Sequence, residues 1–152
     1  MNKSTDELKD FLKHTSPKAF DKYVAENKEE IYSNDKAFEI YVKKIIYDKK
    51  LQLKDVFLQA DIPEKYGYKL LSGEKRTVQR DIILRICYAA EMSFDETQRA
   101  LKLYQMPELY PRLERDALLI TCFNNRPGSV IEVNEILSKN KMDILRSSGV
   151  QD

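Results

Sequence analysis

Apolar residues along the chain recur three and four positions apart, the period of a helix face, rather than alternating as in a half-buried strand. Few glycines and prolines interrupt this pattern, so the spacing predicts an all-α protein. Ser4 and Glu7 stand at capping-box distance and open a short helix to about His14. Pro17 suits the first turn of a second helix over 17–31, with Phe20, Tyr23 and Val24 on one face. The rest of residues 1–34 is Lys, Glu, Asp and Asn, which predicts a loosely docked helical arm with a solvated charged face.

The strongest amphipathic pattern begins at Phe38 and runs through Tyr41, Val42, Ile45 and Ile46 to the cations Lys49 and Lys50, which suit a helix C-terminus. A shorter segment, 53–60, turns Val56, Phe57 and Ala60 inward before Asp61-Ile62-Pro63 breaks it. Another short helix over 63–71 is closed by Ser72-Gly73, since glycine accepts the left-handed conformation that follows many helix ends. Beyond Thr77, the residues Val78, Ile82, Ile83, Ile86, Cys87 and Ala90 share one side and predict the central core helix. Ser93 with Glu96 starts a further helix that ends before Pro107.

Two more helices follow in 107–152. The nearly continuous apolar run Ala117-Leu118-Leu119-Ile120 within 115–123 needs cover, either from the core or from a second subunit in a two-fold interface. Ser129 with Glu132 caps a final helix carrying Val130, Val133, Ile136 and Leu137. The tail after about Leu145 reads as frayed. The pattern therefore divides the chain into an arm (1–34), a helical core (35–106) and a C-terminal helical extension (107–152).

Charge narrows the function. The chain has 26 Lys and Arg against 25 Asp and Glu, so any grip on a polyanion depends on local clustering. No apolar run reaches the ~18 residues that cross a bilayer, and the N-terminus lacks a secretory apolar stretch, which predicts a cytoplasmic protein without membrane contact. Cys87 and Cys122 lack metal-site spacing and read as buried free thiols, so no cofactor or metal is expected. His14 is the only histidine and lies in the polar arm; acid pairs such as Glu29-Glu30 or Asp95-Glu96 fit exposed faces and helix starts. No enzyme is indicated.

The informative rhythm is a long helix, two short helices around a tight break, and two more helices. Over residues 51–76 the chain resembles the lambda-repressor-like, or XRE, family of helix-turn-helix proteins. The residues that carry this run from Leu51-Gln52-Leu53 through Asp61-Ile62-Pro63 and Glu64-Lys65-Tyr66-Gly67-Tyr68-Lys69 to Leu70-x-Ser72-Gly73-x-Lys75-Arg76. It is similar in particular to an extended form with further helices containing Leu109-Tyr110-Pro111-Arg112 and Val130-x-Glu132-Val133. The resemblance implies a five-helix lambda-repressor-like core, double-stranded DNA as partner, and a transcriptional regulator that reads the major groove with helix 63–71.

On that resemblance Glu64, Lys65 and Lys69 face base edges with Tyr66 beside them: Lys donates to guanine, Glu accepts from cytosine, Tyr covers a thymine methyl. Ser72, Lys75 and Arg76, joined by Arg80, fall near the phosphate backbone, and Gln52 braces it from one position earlier than the family's usual glutamine. Phosphate contacts make such binding salt-sensitive. A homodimer fits paired half-sites.

Gly67 costs about 1 kcal/mol of helix propensity relative to Ala. Two causes are open: close approach of a neighbouring helix, or a protein-contact patch formed with Tyr66 and Tyr68. The second leads to a different function on the same scaffold, a protein–protein interaction module that binds no DNA.

Overall fold

The computed structural model describes residues 3–31 and 36–147, and all its regular structure is helical. The chain divides into two compact units between residues 35 and 36.

The first unit is a small helical pair. Helix α1 (Thr5–Lys13) starts at Ser4, whose Oγ accepts the Glu7 N–H at 3.1 Å. A 3-10 turn, Pro17–Ala19, leads directly into α2 (Phe20–Glu26). This helix stops well before residue 31, because Asn27 turns its side-chain amide back to the Tyr23 carbonyl at 2.9 Å. Asn27 also accepts from Lys3 Nζ, which ties the two ends of the unit together. Of the face predicted at Phe20, Tyr23 and Val24, only Tyr23 is buried, against the Phe11 ring; Phe20 is exposed.

The second unit begins with α3 (Ala37–Asp48), α4 (Leu53–Ala60) and α5 (Glu64–Ser72). Next come α6 (Arg80–Ala89) and α7 (Phe94–Leu103), followed by α8 (Glu114–Asn125) and α9 (Val130–Lys139). In α3 the buried set is Phe38, Tyr41, Val42, Ile45 and Ile46, with Ala37 and Glu39 at the helix start. From Ile82 to Tyr88 every residue of α6 is buried, so this helix is enclosed all round, by α4, α7 and α9. Helix α6 starts at Arg80 with Gln79 as its cap. Val78 therefore falls outside it and is 78% exposed, a departure from the predicted core face.

The chain stops its helices in a repeated way. Lys50, Asp61, Glu91, Gln105 and Lys141 all adopt left-handed backbone, and the amide of the next residue returns to a carbonyl five positions back. These bonds run from Leu51 to Ile46, Ile62 to Phe57, Met92 to Cys87, Met106 to Leu101 and Met142 to Leu137, at 2.9–3.1 Å. This is the Schellman pattern, in which an apolar residue after the left-handed one folds back on the helix it ends. Ile62 and Met92 are buried in consequence. Without a glycine at these sites, each left-handed residue costs about 1–2 kcal/mol, which the returned hydrogen bond and apolar contact offset.

Helices α8 and α9 pack on each other, α8 on α7 and α9 on α6. Leu119, Cys122, Phe123, Val130, Val133 and Leu137 are buried within this one chain, while Leu118 and Ile120 are half-buried. Full capping boxes start α7 at Ser93 with Glu96 and α9 at Ser129 with Glu132, at the spacings the sequence predicts. The predicted frayed tail begins too early: Leu145 is 2% exposed and Arg146 is hydrogen-bonded. The rest of that tail, 148–152, lies outside the described residues.

Candidate functional site

The side chains singled out from sequence gather on α5 and the segment that follows it. Helix α5 turns Gly67, Leu70 and Leu71 inward, leaving Glu64, Lys65, Tyr68 and Ser72 exposed and Tyr66 and Lys69 half-exposed. Lys65, Lys69 and Ser72 follow one another at i, i+4 and i+7, so they form one stripe along the outer face. Among the described residues no hydrogen bond or ion pair engages the Lys65, Lys69 or Lys75 ammonium group, and all three remain available to an anion.

The inward face explains Gly67. A Cβ built there falls 2.4 Å from Phe57 Cδ1, so the α4 ring occupies the space of a side chain. Phe57 is fully buried and meets the Tyr68 ring edge-on, with centroids 5.1 Å apart. Close approach of a neighbouring helix is thus the cause of the glycine, and it sets the attitude of α5 on α4. Gly73, at φ 82°, closes α5 in the left-handed conformation, as the sequence predicts.

Past the helix, Ser72 Oγ donates to the Lys69 carbonyl and accepts the Glu74 N–H, both at 3.2 Å, and this fixes the turn carrying Lys75. The Arg76 guanidinium lies over the Tyr104 ring, 4.2 Å from its centroid, and remains exposed. Gln52 caps α4 by position, without a side-chain hydrogen bond to it, and its side chain is exposed.

Arg80 is already engaged within the protein. Its guanidinium is committed inside the protein, to both oxygens of Asp116 at 2.6 and 3.2 Å and to the carbonyls of Pro107 and Glu108. These bonds occupy Nη1 and one Nη2 hydrogen, so the Asp116 pair competes with any phosphate contact Arg80 could make. The neighbouring pair mirrors it, with Arg115 clasping Asp81 through two bonds at 3.1 and 3.0 Å. The sequence Arg-Asp occurs at the start of α6 and again near the start of α8, and each Arg takes the other's Asp. These crossed pairs fasten α8 to α6.

Sequence reasoning missed three cations. Lys36 passes its aliphatic stem over Gly73, which brings a further ammonium to the exit of α5. Arg126 donates to the carbonyls of Tyr88 and Met92 and stacks on the Tyr88 ring at 4.6 Å, so it closes the C-terminus of α6 with a positive charge. Burial lowers the pKa of this guanidinium, against the opposing pull of Tyr88 and Glu91. Arg85 is nearly enclosed and binds three backbone carbonyls. Only Arg85 left a signal, a charge set within the apolar run Ile82-Ile83-Leu84-Arg85-Ile86.

Among the described residues no helix is long and apolar enough to cross a membrane. No protein-family model matches the chain, and neither a curated protein nor a solved structure matches it.

Proposed function

We propose that α3 to α7 form a lambda-repressor-like helix-turn-helix core, and that the chain is a sequence-specific DNA-binding protein acting as a transcriptional regulator. The observation carrying this reading is the outer stripe of α5, where unengaged Lys65 and Lys69 stand on a short helix braced from below by the Phe57–Gly67 contact. A major groove admits one helix, and lysines on its leading face donate to guanine N7 and O6. Lys75, Arg76 and Lys36 then supply phosphate contacts at the end of the helix, and Gln52 supplies another at the start of α4. Glu64 accepts from cytosine N4 in this arrangement, and Tyr66 packs beside it. Arg80, paired with Asp116, is left out of this set.

Selection from random duplexes tests the proposal. Enrichment of a defined site is expected, with affinity falling steeply as salt rises. Lys65→Ala and Lys69→Ala change the preferred sequence; Lys75→Ala weakens all sequences about equally and lowers the salt slope by about one. A dimer seen by light scattering would match paired half-sites.

A second reading, a protein-interaction module on the same scaffold, is favoured by the exposed apolar side chains Leu58 (71%) on α4 and Tyr68 (44%) on α5. Aromatic and aliphatic groups in that setting suit a protein partner. Failure of any duplex to be enriched rejects DNA recognition and leaves this second reading standing.

A further inference from the structure

The segment after α9 has no regular structure, yet it is among the most densely bonded parts of the chain. Arg115 donates to the carbonyls of Asp143 and Ile144 at 3.0 and 3.2 Å. Arg85 donates to those of Leu145 and Arg146, both at 2.7 Å. In the other direction, the Leu145 N–H donates to Asn134 Oδ1 and the Arg146 N–H to Asp81 Oδ2, each at 2.9 Å. Leu145 is the one side chain of residues 143–147 that is buried. The segment is thus gripped through its backbone with a single leucine as anchor, the way a groove holds an extended peptide.

The third donor of Arg85 goes elsewhere, to the Ala60 carbonyl at 3.1 Å. Ala60 is the last residue of α4, immediately before the turn that sets α5. Burial disfavours the charge of this guanidinium, with Asp61 and Asp81 opposing. No carboxylate stands within ion-pair distance of Arg85 among the described residues, so backbone carbonyls alone satisfy it. If the two carbonyls of the segment leave, Arg85 keeps only Ala60 and must turn toward water or another acceptor.

We propose that residues 143–146 form a detachable strap, and that its seating, transmitted by Arg85, holds the turn between α4 and α5. With the strap seated, each nitrogen of the Arg85 guanidinium is bonded to a carbonyl, and Arg85 fixes Ala60. With the strap released, Arg85 reorients and the turn loosens, changing the attitude of α5. The device stands on this geometry whether or not α5 meets DNA.

Amide hydrogen exchange on the full chain tests it, in the wild type and in Leu145→Ala, which removes the anchor and leaves every backbone bond possible. The expected result is exchange about tenfold or more faster at Leu145, Arg146 and the hydrogen-bonded amides within 61–67, those of Asp61, Ile62 and Gly67, with α7 and α9 keeping their protection. Fast exchange at 145–146 with unchanged protection at 61–67 overturns the coupling. An equal loss of protection throughout residues 36–147 overturns the strap, since the segment would then be ordinary core. If Leu145→Ala fails to fold, the wild type decides alone under low denaturant. The amides at 145–146 and 61–67 must open together and before α7; separate openings, or opening only with the whole unit, refute the proposal.

Discussion

Replacing Gly67 with alanine sets two effects of opposite sign against each other. Alanine in a helix interior gains about 0.8–1.0 kcal/mol over glycine from backbone propensity alone. The new methyl, however, would stand 2.4, 2.5 and 2.7 Å from three atoms of the Phe57 ring. Carbon atoms rest at about 3.5–4.0 Å, so the ring or α5 itself must move by roughly 1 Å. Phe57 has no exposed surface and is hemmed in by Tyr68, so it cannot swing aside. Overpacking costs about 1–3 kcal/mol, and contacts this short stand in the upper part of that range, about 2–3 kcal/mol, so after the propensity gain a net loss of about 1–2 kcal/mol is expected. With a urea slope of about 1.5–2 kcal/mol per molar, the midpoint falls by roughly 0.5–1 M. Phe57→Leu in the Gly67→Ala background should recover part of the loss, a coupling that a double-mutant cycle reads directly. An unchanged or raised midpoint for Gly67→Ala would show that the ring yields freely and that the glycine does not set the α4–α5 contact.

Three further expectations follow from the same contacts. Arg80→Ala leaves the Asp116 carboxylate, 3% exposed, without its fork and should cost about 2–4 kcal/mol in urea denaturation, with Arg80→Lys restoring only part. Cys87 is fully buried and its thiol is pushed up to about 12, with burial also raising Cys122; neither should react with a thiol reagent at pH 8 until the chain unfolds, and native-state labelling of Cys87 would contradict the packing of α6. For Glu96, burial raises the carboxyl pKa, but the Ser93 N–H and the Lys49 ammonium outweigh it and the net shift is downward. A depressed carboxylate contributes stability above its unfolded pKa and loses it as pH falls through the folded one. Glu96→Gln should therefore flatten the acid side of the stability profile below the ordinary glutamate range, and an unaltered profile would refute the role of that pair.

Much of the helical order was legible because one-sided burial leaves a periodic trace. The buried residues of α4, and the apolar buried set from Phe38 to Ile46 in α3, stand where their spacing puts them, and three serines cap the helices they precede. The central helix was legible as buried but not in its start, because Val78 continues the apolar pattern while Gln79 takes the cap and leaves it in solvent. Helix ends were harder. Gly73 announced itself, but Lys50, Glu91, Gln105 and Lys141 carry no such mark. Their signal was the apolar residue after each one, a pairing of left-handed polar residue and returning Leu or Met that propensity alone does not reveal. At the candidate site, Lys65 and Lys69 were legible as surface cations on a short helix, whereas the pairing of Arg80 depended on Asp116, far along the chain.

That last contrast has a physical cause. Apolar contacts are non-directional and spread over a face, so each one repeats along its own helix and can be read locally. Arginine contacts are directional, pairing a fixed fork with one carboxylate or a few carbonyls, and a single pair leaves no period in the sequence. The second unit uses both. Its helical interior is apolar, but its C-terminal region is fastened by Arg80 and Arg115 to crossed aspartates, by Arg126 to the end of α6, and by Arg85 to the strap. Removing an apolar side chain there should cost in proportion to the area exposed, whereas removing one arginine strands a carboxylate or several carbonyls at once. The response to substitution should consequently be graded along α9 and steep at these four positions, and the α4–α5 turn, which leads into the helix bearing Lys65 and Lys69, is joined to the steep class through Ala60 and Arg85.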